Sequence, residues 1–158
     1  MVLLLLLLIP AVPVLAAGLI GYGLGSLGRA GVRRADRLTW LRSTAALLGA
    51  AAAVVYTWGL LALAGATLDA EDHGVDSSPP RPCRTPGLFE RAVHVVDYTV
   101  RYAPLRFVCR TSDGGSYVAD AVPGYVNPAV LGLGAGAVAC AGAGVVDGGR
   151  RVRLSAAA

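Results

Sequence analysis

The sequence predicts a membrane α-helical fold: three transmembrane helices, with a small disulfide-clamped antiparallel β segment outside the bilayer. Three observations lead there. The 158 residues are 55% hydrophobic and only 15% charged, where a soluble domain carries roughly 25% charged residues. Three stretches hold no charged side chain over the roughly 20 residues that a helix needs to cross the hydrocarbon. One long polar segment separates the second stretch from the third, and it contains both Cys83 and Cys109.

The first span runs from Val2 to about Gly25. Pro10 and Pro13 fall inside it, and a membrane helix tolerates them where neighbouring groups satisfy the freed carbonyls. The leucine run followed by Val14-Leu15-Ala16-Ala17 also resembles a signal peptide. No positively charged segment precedes that run, and cleavage would leave the Arg-rich segment after Gly28 outside, so an uncut span is expected. The second span runs from about Thr44 to Leu68, and the third from about Val126 to Val146. Asn127 is suited to cap the third helix, and Pro128 to occupy its first position, where no backbone donor is missed.

Arginine sets the orientation. All 14 basic residues are Arg, and Ala, Gly, Val and Leu dominate the rest, the bias of a GC-rich bacterial genome. Arg29, Arg33, Arg34, Arg37 and Arg42 lie between the first two spans, and Arg150, Arg151 and Arg153 follow the third. Both segments are short, so the positive-inside rule places both in the cytoplasm. In the plasma membrane, three spans then put the N-terminus outside and the C-terminus inside. Trp40 and Tyr125 stand where belt aromatics are expected. The chain divides into residues 1–68 (two spans and a basic cytoplasmic loop), 69–125 (extracytoplasmic) and 126–158 (third span and basic tail). With the Arg residues so placed, the net charge of +4 is no argument for nucleic-acid binding.

The outer segment changes character along its length. Asp69 to Pro86 is acidic and Pro-rich and reads as an extended loop. After a short helical turn, Val93 to Tyr102 is dense in Val, Tyr and Thr, which favours a strand. Leu105 to Thr111 is a second strand. Ser112-Asp113-Gly114-Gly115 is a hairpin turn signal, and Ser116 to Val122 is the return strand. In an oxidising compartment Cys83 and Cys109 are expected to bond, while Cys140, inside the third span, packs as a small hydrophobe.

Little in the chain points to chemistry. No span contains Asp, Glu, Arg or His, which argues against proton relays and ion carriers. His73 follows Glu71 and Asp72 without a second ligand at metal-binding spacing. His94 reads as an ordinary strand residue, and Ser112, Asp113 and Ser116 as turn residues. No catalytic residue, metal or cofactor is expected. Small residues say more. Gly21 and Gly25 in the first span, Ala45, Gly49 and Ala53 in the second, and Gly132 and Gly136 in the third lie one turn apart. Such faces let helices approach closely in lipid, either within the chain or against another protein.

Ala103-Pro104-Leu105-Arg106-Phe107-Val108-Cys109-Arg110, then Asp113-Gly114, then Val122-Pro123-Gly124-Tyr125-Val126-Asn127-Pro128 resembles a stretch of small multi-pass membrane proteins of GC-rich Gram-positive bacteria. The resemblance implies a short exported β segment ending just before a helix, and no catalytic residue. The expectation is a non-enzymatic structural or accessory subunit of a cell-envelope membrane assembly. Its partners would be the lipid bilayer and either a membrane protein or a second copy. The alternative is a small oligomeric channel or transport protein, which the uncharged spans disfavour.

Overall fold

The computed structural model describes residues 2–31, 35–71, 79–84, 87 and 89–156. Three long helices dominate: α1 (Val2–Ala30), α2 (Arg37–Glu71) and α4 (Val126–Ala156). Within them Leu3–Ala30, Arg37–Glu71 and Val126–Gly149 are each long and apolar enough to cross a membrane. All three helices outrun the apolar spans expected from the sequence. Hydropathy marks only the lipid-compatible part of a helix, whereas backbone hydrogen bonding continues until it is capped. Asp36 caps α2: its carboxylate accepts from the Thr39 backbone N–H at 3.1 Å and the Thr39 hydroxyl at 2.5 Å, which serves an otherwise orphaned donor of the first turn. Gly31, at φ +73°, follows α1 in the left-handed conformation that ends many helices. Helix α1 passes through Pro10 and Pro13 without interruption.

The chain forms two compact units, one of Met1–Ile9 with Tyr56–Pro128, the other of Pro10–Val55 with Ala129–Ala158. In the second unit α1, α2 and α4 meet through small residues. A Cβ added to Gly23 would stand 3.0 Å from Leu47 Cγ, and one added to Gly49 would stand 3.4 Å from Leu19. Between those contacts the hydroxyls of Ser26 and Ser43 lie 2.7 Å apart. Ser26 also donates to the Gly23 carbonyl at 3.0 Å, and Ser43 is fully buried. Helix α4 meets α2 where a Cβ on Gly136 would touch Leu48 at 3.3 Å and one on Gly144 would approach Leu38 at 3.6 Å.

The first unit is a three-stranded antiparallel sheet packed on α2. Strands β1 (Val95–Tyr102), β2 (Leu105–Thr111) and β3 (Ser116–Ala119) follow in the order β1-β2-β3. Before them lie a single 3-10 turn, Arg81–Cys83, and the one-turn helix α3 (Phe89–Ala92). The expected disulfide joins Cys83 of the 3-10 turn to Cys109 of the central strand, with Cα atoms 6.1 Å apart. Tyr117 reinforces it by donating to the Cys83 carbonyl at 2.7 Å. Closing a loop of this length contributes roughly 3 kcal/mol through the unfolded state. Strand β2 alternates buried and exposed positions, and Leu105, Phe107 and Cys109 are almost wholly buried. Leu60 and Leu63 of α2 are fully buried as well.

Several local details depart from the sequence expectation. Strand β1 starts at Val95 because Val93 and His94 belong to the turn after α3, where the His94 N–H donates to the Arg91 carbonyl at 3.2 Å. Strand β3 stops at Ala119, since the next residues turn the chain toward α4, with the Val126 N–H donating to Pro123 at 3.0 Å. Asp69 to Glu71 continue α2 rather than opening a loop. His73 and the centre of the acidic segment lie outside the described residues. Asn127 is not a cap: α4 begins at Val126, and the Asn127 amide bonds the backbone of Leu105 instead.

Candidate functional site

Alternation along the strands divides the sheet into two faces. Val100, Phe107 and Ala119 are aligned across the three strands and buried. On the opposite face Thr99 aligns with Val108 and Val118, Asp97 with Arg110, and Arg101 with Arg106. Arg101, Arg106 and Arg110 are all exposed. Asp97 faces one arginine with its own charge. Arg101 and Arg106 instead place like charges directly opposite each other, an arrangement that destabilises a strand pair. Neither makes a hydrogen bond or ion pair among the described residues.

The end of the hairpin that carries this pair is held firmly. Ala103 and Pro104 form its two-residue turn through a cis peptide bond, the bond of a type VI turn. On one side of the turn, the Tyr56 hydroxyl donates to the Tyr102 carbonyl at 2.9 Å. On the other, Leu105 is buried against α2 and the start of α4. A Cβ added to Gly59 would lie 2.5 Å from Leu105 Cδ1 and 2.7 Å from Val126 Cγ1, so any larger residue there would have to displace both buried side chains.

Two exposed aromatic residues, Trp58 and Tyr125, flank this junction.

The far end of the sheet holds its titratable groups. The Tyr98 ring stacks on Phe107 with centroids 4.9 Å apart, and its hydroxyl donates to the Glu71 carboxylate at 3.0 Å. Burial, then that hydrogen bond, then the charges of Glu71 and Asp97 push the Tyr98 phenol up to about 12. Burial raises Tyr117. Asp113 accepts from the Thr111 hydroxyl and from the Gly115 N–H, and these bonds, with a lesser pull from His94, hold its carboxyl below the usual range. His94, Asp113, Ser116 and Arg91 share a cavity of about 300 Å³ at the hairpin turn. There Asp113 is engaged by the turn it closes. A larger cavity, about 470 Å³, opens between Ala62, Ala66 and Asp69 of α2 and Arg81, Arg84 and Asp120.

The glycines chosen from the sequence behave differently from one another. Gly136 packs on Leu48, whereas a Cβ on Gly21 or Gly132 would meet nothing within 4 Å, and one on Gly25 only the Arg29 guanidinium of its own helix at 3.9 Å. Among the glycines of the three long helices, those under closest contact are Gly59 and Gly23, which one-turn spacing of small residues does not single out. Trp58-Gly59, an aromatic beside a glycine near the end of an apolar run, was the available signal. No family model, curated protein or solved structure matches the chain.

Proposed function

We propose that the chain is a three-span integral membrane protein that serves as a non-enzymatic structural or accessory subunit of a cell-envelope assembly. On this reading the sheet is extracytoplasmic and the segment around Arg37 and Arg42 is cytoplasmic, following the positive-inside rule. The observation that carries the accessory role is a row of exposed leucines in the same unit as the sheet. Leu3, Leu6 and Leu7 of α1 are 83%, 66% and 68% exposed. Their neighbour Leu5 lines a cavity of about 240 Å³ with Glu71, Asp97 and Tyr98. With Leu5 beside two carboxylates, this reading puts the start of α1 at the outer edge of the span, where an exposed apolar surface is available to a protein partner. The open glycine faces at Gly21 and Gly132 offer a second contact within the bilayer.

Purification in mild detergent tests this. A stoichiometric membrane partner should accompany the wild-type chain and the variant Leu3→Ile/Leu7→Ile, and be lost from Leu3→Gln/Leu7→Gln. A homo-oligomer without any partner, conducting ions in planar bilayers, would replace the accessory role with a pore.

A further inference from the structure

We propose that Arg101 and Arg106 form a clamp for the phosphate of an anionic phospholipid at the membrane surface, an inference that rests on reading the three helices as membrane spans. The two side chains are exposed, directly opposite across β1 and β2, and without a protein partner among the described residues. Each is next in sequence to a pinned residue. Tyr102 is held by Tyr56, and Leu105 by Gly59, Val126 and Asn127. The clamp is therefore fixed where α4 begins.

That level is the edge of the hydrocarbon. Trp58 and Tyr125 are exposed there, as belt aromatics are at a membrane–water boundary. Arginine in hydrocarbon is costly, so the pair cannot lie deeper, and the buried contacts of Leu105 prevent it from standing far above. Lipid phosphates occupy this layer. Two arginines directly opposite each other across the strand pair can supply donors to one anion and carry twice the charge that one phosphodiester needs. An anion between them converts a repulsive cross-strand pair into a bridged one. A diester carrying a further negative charge nearby, or a second anionic lipid, neutralises the pair fully. Arg110 is excluded from the clamp because Asp97 stands opposite it.

The test uses the full-length protein in nanodiscs and in detergent. Nanodiscs of phosphatidylcholine doped with phosphatidylglycerol should show the anionic lipid enriched around the wild type by native mass spectrometry. Its apparent affinity should fall roughly thirtyfold in Arg101→Gln/Arg106→Gln, the effect of two arginines near an anionic surface. Arg110→Gln should change it little. In lipid-free detergent the double variant should unfold at the same temperature as wild type or higher, because a like-charge pair has been removed. This also shows that it folds. Added phosphatidylglycerol should raise the unfolding temperature of the wild type alone, and millimolar inorganic phosphate should not reproduce the effect. Equal enrichment in wild type and double variant, or full replacement of the lipid effect by inorganic phosphate, overturns the clamp. Release of the wild type from membranes by alkaline carbonate would instead overturn the three-span reading beneath it.

Discussion

The side-chain amide of Asn127 bonds both backbone groups of Leu105. Its oxygen accepts from the Leu105 N–H and its nitrogen donates to the Leu105 carbonyl, each at 3.0 Å. Leu105 is the first residue of β2 and Asn127 the second of α4, so one side chain joins the sheet to the third long helix. Because Leu105 is almost fully buried, its backbone groups have little access to water. Replacing Asn127 with Ala leaves both unpaired, which costs about 1–3 kcal/mol. The expected outcome is a lower unfolding temperature in detergent. Asn127→Asp should be at least as harmful, since a carboxylate keeps the acceptor and opposes the carbonyl. An unchanged unfolding temperature for both variants would mean that the pairing contributes nothing.

Gly59 tests the same junction from the other side. A methyl group there would press within 2.5 Å of Leu105 and 2.7 Å of Val126, far inside van der Waals contact. Gly59→Ala should therefore destabilise by about 1–3 kcal/mol, the usual cost of overpacking. Gly132→Ala, where the added atom meets nothing within 4 Å, should leave the isolated chain as stable as before or slightly more so, since Ala favours helix. Differential scanning fluorimetry of the two variants beside wild type decides it. Equal behaviour would refute the close contact at Gly59.

The contrast shows which features were legible in the sequence. Apolar runs reveal helices wherever lipid is the solvent, so all three long helices were visible, as were the Cys83–Cys109 bond and the hairpin turn at Ser112 to Gly115. The ends of the helices were less so, because polar turns extend a helix without leaving a hydropathy signal: the second span was read to Leu68, whereas α2 continues to Glu71. Small-residue spacing singles out Gly136, where an added Cβ would touch Leu48, but not Gly59, whose constraint comes from residues 46 and 67 positions away. The pairing of Arg101 with Arg106 depends on strand register, which follows only once the two-residue turn at Ala103 and Pro104 is known.

Tyr98 and Asp113 set opposite limits on the pH stability of the sheet. The Tyr98 phenol is raised to about 12, above its ordinary value of about 10. The fold favours the neutral phenol, so this contribution is complete below about pH 10 and is lost as the pH rises through the folded value. Asp113 is lowered, so its contribution is complete above the ordinary aspartate pKa of about 4 and is lost as the pH falls through the folded value. Tyrosinate absorbance should lose its latest-titrating phenol in Tyr98→Phe, with the raised Tyr117 phenol remaining, while Glu71→Gln should shift the Tyr98 phenol downward. An unchanged latest titration step in Tyr98→Phe would assign the shift elsewhere.

The last prediction concerns the side of the membrane on which the sheet lies. The segment joining α1 to α2 is short and carries Arg33, Arg34 and Arg37, and short positive segments are retained in the cytoplasm. The sheet joins the other end of α2, so the proposed topology turns it outward, where an oxidising environment would maintain the Cys83–Cys109 bond. In a Cys140→Ala background, a single cysteine introduced at Ala35 should resist a membrane-impermeant maleimide in intact cells and react once the cells are opened. A single cysteine at Ser112, exposed in the hairpin turn, should react in intact cells. Reduction with dithiothreitol should be needed before Cys83 and Cys109 label at all. The reverse pattern at Ala35 and Ser112 would place the sheet in the cytoplasm, and the phosphates nearest to Arg101 and Arg106 would then be those of the inner leaflet.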